Sequence, residues 1–61
     1  MTVRDALAQA LAHRYVHAEM KERMEAEILV SHVCSAARIE FADVQGRAIR
    51  YARTLRTEST Q

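Results

Sequence analysis

The chain has almost no residues that interrupt a helix: it contains no proline and one glycine, Gly46. Alanine, glutamate, arginine, leucine and methionine, all of which favour the helical conformation, make up about half of it. No segment alternates apolar and polar residues in the manner of a strand. We therefore predict an all-α single domain spanning 1–61. The expected architecture is a helical hairpin of two helices, or of three, that associates into a homo-oligomeric helix bundle.

The clearest helical pattern lies in residues 41–56, which we predict to form the C-terminal helix. Its apolar residues are separated by three or four positions, namely Phe41, Val44, Ala48, Tyr51 and Leu55. This spacing places them on one face and is typical of a helix that packs lengthwise against another helix. We predict that this face is a packing seam of the oligomer, against which the N-terminal helix packs while it also contacts a second chain.

The N-terminal helix is predicted to begin at Val3, because Thr2 and Asp5 have the spacing of a capping box. Residues 19–27 also favour helix, so we predict one helix over about 3–30. One apolar series on it repeats every four residues, at Leu7, Leu11 and Tyr15. A second series, offset by more than a quarter turn, consists of Met20, Met24 and Ile28. These faces point in different directions, so we expect a second chain to cover one of them.

A turn is predicted within 31–40, where the helix-forming tendency weakens, and a frayed tail over 57–61. The alternative is one continuous helix over 30–55. It is suggested by residues that extend the C-terminal seam backwards in register, namely Val30, Cys34 and Ala37. Gly46 inside a helix should cost about 0.5–1 kcal/mol relative to alanine. It could mark the close approach of a neighbouring backbone.

The length of the chain makes a self-contained core marginal. Burying about 3,700 Å² of apolar area at ~25 cal/mol/Å² yields about 90 kcal/mol. Ordering the chain at ~1.5 kcal/mol per residue costs about as much. A single cysteine provides neither an internal disulfide nor a structural zinc site. We therefore expect a homodimer or a larger homo-oligomer; the alternative is a marginally stable monomeric bundle.

The overall charge gives little indication of a partner. Nine basic and eight acidic residues leave a net charge of +1, which is too balanced to indicate a nucleic-acid-binding protein by composition. No apolar run approaches the ~18 residues of a membrane span, so no membrane partner is expected. The N-terminus shows no secretory signal, and one unpaired cysteine fits a reducing compartment. The expected location is the cytoplasm.

A nucleic-acid-binding regulator is the first alternative function, because five arginines in the C-terminal part could contact phosphates. They are Arg38, Arg47, Arg50, Arg53 and Arg56. Steps of three residues rotate successive arginines by about 60°, so they spread over half of the helix surface. Aromatic residues that could stack on bases are also scarce. The simpler interpretation is a solvated face, or one that pairs with the acidic segment 19–27.

A metal- or haem-binding bundle is the second alternative. Its candidate ligands share one helical arc at spacings of 4, 3 and 4, namely His13, His17, Met20 and Met24. The simpler interpretation is that the methionines pack against a partner helix with the histidines at the rim. Since a third strong ligand is not evident, the sequence predicts no cofactor.

No pattern in the sequence indicates catalysis. Cys34 and His32 are two residues apart and would point in different directions on a helix, so Cys34 is expected to be a small buried residue. Paired carboxylates, a glycine-rich phosphate loop and a Ser/His/Asp arrangement are not evident in the sequence. We therefore expect a non-enzymatic helical interaction module. It would act as a small homo-oligomeric regulator or assembly factor through contacts with itself and with another protein.

Overall fold

The structure of the protein, a computed structural model, describes residues 1–59. It contains three α-helices: α1 (Val3–His17), α2 (Met20–Ala37) and α3 (Phe41–Ser59). No strand occurs in this part of the chain, so the predicted all-α class is confirmed. The helix at the C-terminus continues beyond the predicted end at 56, and the last two positions of the predicted tail over 57–61 lie outside the described residues.

The start of α1 is set by the predicted cap. Thr2 is extended, and its hydroxyl oxygen accepts a hydrogen bond from the backbone N–H of Asp5 at 3.1 Å. The same hydroxyl donates to the Asp5 carboxylate at 3.0 Å. In the usual capping box the acidic side chain would accept from the backbone N–H of the cap instead. The carboxylate still lies in the first turn, where it stabilises the positive end of the helix dipole.

The prediction of one helix over 3–30 is wrong, because the chain bends between α1 and α2. Ala18 and Glu19 both have extended backbones, with ψ of 156° and 170°. Both residues are good helix formers, so local propensity does not cause the break. Packing does: the bend allows α2 to turn Val30 and Cys34 towards the core that α1 also faces. The change in apolar direction along the sequence therefore indicates the end of a helix.

We expect the substitution Glu19→Ser to stabilise the protein by about 1 kcal/mol. Glu19 is the N-cap of α2 but makes no side-chain capping hydrogen bond. A serine there, together with Glu22 three residues later, would form a capping box. Urea denaturation at fixed protein concentration measures the gain. The control is Glu19→Ala, which removes the same charge without adding a hydroxyl; an equal gain in both variants would contradict the capping explanation.

The end of α2 is a helix-terminating motif centred on Arg38, which has a left-handed backbone with φ of 59°. Its N–H donates to the Ser35 carbonyl at 3.3 Å, and the N–H of Ile39 donates to the Cys34 carbonyl at 2.8 Å. These two bonds define a Schellman motif. The residue with the left-handed backbone in this motif is usually glycine, and here it is Arg38. The turn at 38–40 lies within the predicted interval 31–40. The alternative of a continuous helix over 30–55 is wrong.

Helices α1 and α3 run in the same direction, and α2 returns the chain from the end of α1 to the start of α3. Near their starts, Arg47 of α3 contacts the Asp5 carboxylate at 2.8 Å. Near their ends, Arg56 Nη2 donates to the backbone carbonyl of Tyr15 at 3.3 Å. Neighbouring helices of the same direction have aligned dipoles that repel one another. The acidic residues in their first turns, Asp5 and Asp43, oppose this repulsion.

The core is small, and half of its residues are alanines. Its members are Ala8, Leu11 and Ala12 of α1, Val30 and Cys34 of α2, and Val44, Ala48 and Ala52 of α3. The predicted C-terminal seam thus packs inside the chain: two of its residues are core members, and the rest, Phe41, Tyr51 and Leu55, pack against the core. Within residues 1–59 no backbone approaches Gly46 closely, since a Cβ there would meet nothing within 4 Å.

Candidate interaction surface on α2

One side of α2 leaves three large apolar side chains in solvent. They are spaced by four residues and are called here the methionine face, which consists of Met20, Met24 and Ile28. Their exposed fractions are 63%, 55% and 56%, respectively. They were predicted to be packing residues, yet within residues 1–59 each remains more than half exposed. The structure therefore leaves a continuous apolar stripe of about two helical turns without a partner.

A shallow groove of about 400 Å³ runs beside the methionine face, between α2 and the start of α3. Its lining residues are Met24, Glu27, Ile28, Ser31, Phe41 and Gln45. The Ser31 hydroxyl donates to the backbone carbonyl of Ile28 at 2.9 Å, so an apolar group could cover it without leaving it unpaired. The groove thus combines a small residue, whose hydroxyl is already hydrogen-bonded, with the larger apolar residues Met24, Ile28 and Phe41. An apolar side chain could dock there.

The orientation of α2 is fixed by one carboxylate that connects all three helices. Glu27 accepts a hydrogen bond from the Tyr15 hydroxyl of α1 at 2.6 Å and from Gln45 Nε2 of α3 at 2.9 Å. Burial of the phenol, together with its bond to Glu27, raises the pKa of Tyr15 to about 12. This three-way contact holds one side of α2 against the other helices and leaves the methionine face outward.

Alkaline pH should therefore destabilise the protein through Tyr15. A tyrosine whose pKa is 10.0 when unfolded and about 12 when folded favours the folded state below pH 10. This contribution is lost as pH rises from 10 towards 12. Urea denaturation across this range should show a fall in stability that is smaller in Tyr15→Phe. In the variant Tyr51→Phe, which leaves Tyr15 as the sole tyrosine, absorbance titration should give a pKa well above 10; an ordinary value would contradict the prediction.

A second apolar pair lies on the opposite flank of α2 and was missed by the sequence analysis. Leu29 is 67% exposed and Val33 is 45% exposed. The signal was present in the run Ile28-Leu29-Val30, because three consecutive residues on a helix, separated by 100° each, cannot all face one core. Of these three residues only Val30 faces inward, and Ile28 and Leu29 are exposed.

The five arginines proposed for nucleic acid are not brought together. Arg47 contacts Asp5 at 2.8 Å and Asp43 at 3.7 Å, and neither carboxylate belongs to the acidic segment 19–27. The hydrogen bond from Thr2, and then the charge of Arg47, lower the pKa of Asp5. Arg56 contacts α1, and Arg38 lies in the turn after α2. Three members of the set are exposed on α3, namely Arg50, Arg53 and Arg56.

The predicted arc of histidines and methionines is interrupted by the break between α1 and α2. His13 and His17 remain neighbours, with ring centroids 5.5 Å apart, and line a cleft at the corner of the two helices. Met24 lies instead in the groove beside α3. Among residues 1–59, no group of three or more His, Cys, Asp or Glu side chains is placed to hold a metal ion.

Two further sequence expectations concern Cys34 and membranes. Cys34 is 1% exposed and lies in the core, whereas His32 is exposed. Within residues 1–59, none of the helices combines the length and the apolar character needed to cross a bilayer.

The fold and the surface together define the class: a small three-helix protein with an alanine-rich core and an unpartnered apolar helix face. Comparison of the chain with protein-family models, with curated proteins and with solved structures finds no significant match.

Proposed function

We propose that the protein is a non-enzymatic helical interaction module that works as a homo-oligomer. In this proposal it is a small regulator or assembly factor that acts through protein–protein contacts in the cytoplasm, where its single cysteine would stay reduced. The observation that carries the proposal is the methionine face. Its three side chains are each larger than most residues of the core, yet each is more than half exposed.

The total surface of the chain supports this proposal. The accessible area is 4526 Å². A folded monomer of 7.0 kDa is expected to expose about 4,000 Å². A typical stable interface buries about 800 Å² on each partner, which is less than a fifth of the area of this chain. Association through α2 could thus remove the excess without any change in the fold.

Size-exclusion chromatography with light scattering tests the proposal. At micromolar concentration we expect the mass of a dimer or of a larger oligomer. The variant Met24→Glu should shift the mass towards the monomer, because it places a charge in the apolar face. A parent chain that stays monomeric at micromolar concentration would overturn the proposal. Circular dichroism of Met24→Glu should show unchanged helix content, since Met24 is 55% exposed.

A nucleic-acid-binding regulator is the second candidate, favoured by the exposure of Arg50 and Arg53 on α3. It ranks lower because Arg47 and Arg56 contact α1 within the chain. Binding of generic duplex DNA and of structured RNA at two salt concentrations separates the candidates. A complex formed through phosphates must weaken steeply as salt rises. An absence of binding at low salt would remove this candidate.

A further inference from the structure

We propose that α2 pairs with the α2 of a second copy of this chain in an antiparallel arrangement, with a two-fold axis beside Ile28. The inference rests on the proposed self-association and specifies its geometry. A two-fold dimer uses the same patch on both copies, so the patch must be complementary to itself. Side-chain size, charge and the groove beside α3 each provide this complementarity.

Side-chain size along α2 favours the antiparallel arrangement. Met24 and Ile28 begin a seam that continues to the half-buried Ser31 and the exposed Ser35 at spacings of 4, 3 and 4, the spacing by which two helices pack lengthwise. Its N-terminal half is therefore large and its C-terminal half is small. With the axis at Ile28, Met24 of each copy is level with position 32 of the other and lies next to Ser31, while Met20 is level with position 36 and lies next to Ser35. A parallel pair would place large against large, and small against small.

The distribution of charge along α2 also favours the antiparallel arrangement. Residues 19–27 contain four glutamates, one lysine and one arginine, a net charge of −2. Residues 28–38 contain Arg38 as their only full charge, a net charge of +1. Antiparallel pairing about Ile28 places the acidic segment 19–27 of each copy against the segment 28–37 of the other, which carries no full charge, and brings its end close to Arg38 in the turn after α2. It also opposes the two helix dipoles, whereas parallel pairing would align dipoles and bring the acidic halves together.

The groove between α2 and α3 can receive a side chain of the second copy. It lies on the same side of α2 as the methionine face and includes Ser31, the residue next to which the second copy's Met24 would lie. Methionine is unbranched and flexible, so it fits an irregular groove well. The Ser31 hydroxyl already donates to the Ile28 carbonyl, and covering it costs no hydrogen bond.

The opposite flank of α2 is the competing surface for a second copy. Leu29 and Val33 are exposed there, but they are only two side chains. The groove beside α3 lies on the side of Ile28 instead. We therefore assign the interface to the methionine face and use Leu29 as its control.

Cysteine cross-linking tests the position of the axis. The cysteine of Ile28→Cys would lie beside its copy and should form a disulfide dimer on mild oxidation. The cysteine of Met20→Cys would be roughly 24 Å from its copy along the helix and should cross-link about tenfold less. The parent chain is the control, because Cys34 is 1% exposed. Equal cross-linking at both positions would indicate a parallel pair and overturn the inference.

A matched pair of charge substitutions tests the face. Ile28→Glu should shift the mass in light scattering to that of the monomer, while Leu29→Glu should leave it unchanged although Leu29 is the more exposed residue, at 67%. The opposite result would assign the interface to the other flank and overturn the inference. An oligomeric parent chain whose Ile28→Cys variant does not cross-link would also overturn it and leave the proposed function standing. A monomeric parent chain would remove both.

Discussion

The substitution Leu11→Ala is expected to destabilise the protein by about 2–5 kcal/mol. Leu11 is 0% exposed and is one of the three largest fully buried side chains, with Val44 and Cys34. Much of the rest of the core is alanine, whose side chain is too short to fill the cavity that this truncation would leave. A domain of this length has a total stability of roughly 3–9 kcal/mol, so most of it would be lost.

Urea denaturation followed by circular dichroism measures this loss. Protein concentration must be the same for all variants, because self-association would contribute to the apparent stability. The matched control is Leu29→Ala, the same truncation at a side chain that is 67% exposed. It should change stability by no more than about 0.5 kcal/mol. Similar losses in both variants would mean that the core is not where the structure places it.

The sequence was sufficient to predict the elements with strong local signals. The start of α1 followed from the Thr2 cap, and the face of α3 followed from spacings of three and four residues. Both depend on residues a few positions apart. The packing of the N-terminal helix against the α3 face was also predicted, and α1 and α3 share the core cluster. The point at which that N-terminal helix ends was not predictable in the same way, because it depends on the path of the whole chain.

The break between α1 and α2 shows why a single local criterion fails. His17, Ala18 and Glu19 include neither proline nor glycine, and Glu19 provides no side-chain cap. The only sequence signal was the change in the direction of the apolar residues after Tyr15. That change could mean that a second chain covers one apolar face of a continuous helix, or that the helix ends and the chain bends. The structure contains the bend. The bend leaves the methionine face exposed, so the need for a second surface remains.

The candidate site was predictable in its residues but not in its surroundings. Met20, Met24 and Ile28 were identified from their spacing, whereas the groove beside them depends on Phe41 and Gln45 of another helix. The arginines illustrate the same limit. Arg47 looked like part of a free basic face, but the parallel arrangement of α1 and α3 brings Asp5 within 2.8 Å of it. Contacts across 42 residues have no signature in local spacing.

The substitution Glu27→Ala is expected to destabilise the protein by about 2 kcal/mol. It removes the acceptor for both the Tyr15 hydroxyl and the Gln45 amide, and these part-buried donors would lose their partner. The matched control is Glu25→Ala, which deletes the same charge from the exposed side of α2. It should change stability by no more than about 0.5 kcal/mol, because exposed substitutions away from specific contacts have small effects.

Two further measurements show whether the loss in Glu27→Ala arises from this three-way contact. The pKa of Tyr15 should fall from about 12 towards 10.0 but remain above it, because burial, its larger cause, persists. Amide hydrogen exchange should increase more in α2 than in α1 and α3, since α1 and α3 also contact each other through Arg47 and Arg56. A uniform increase along the chain would contradict a role for Glu27 in holding α2. Loosening of α2 alone would mean that this carboxylate also orients the methionine face.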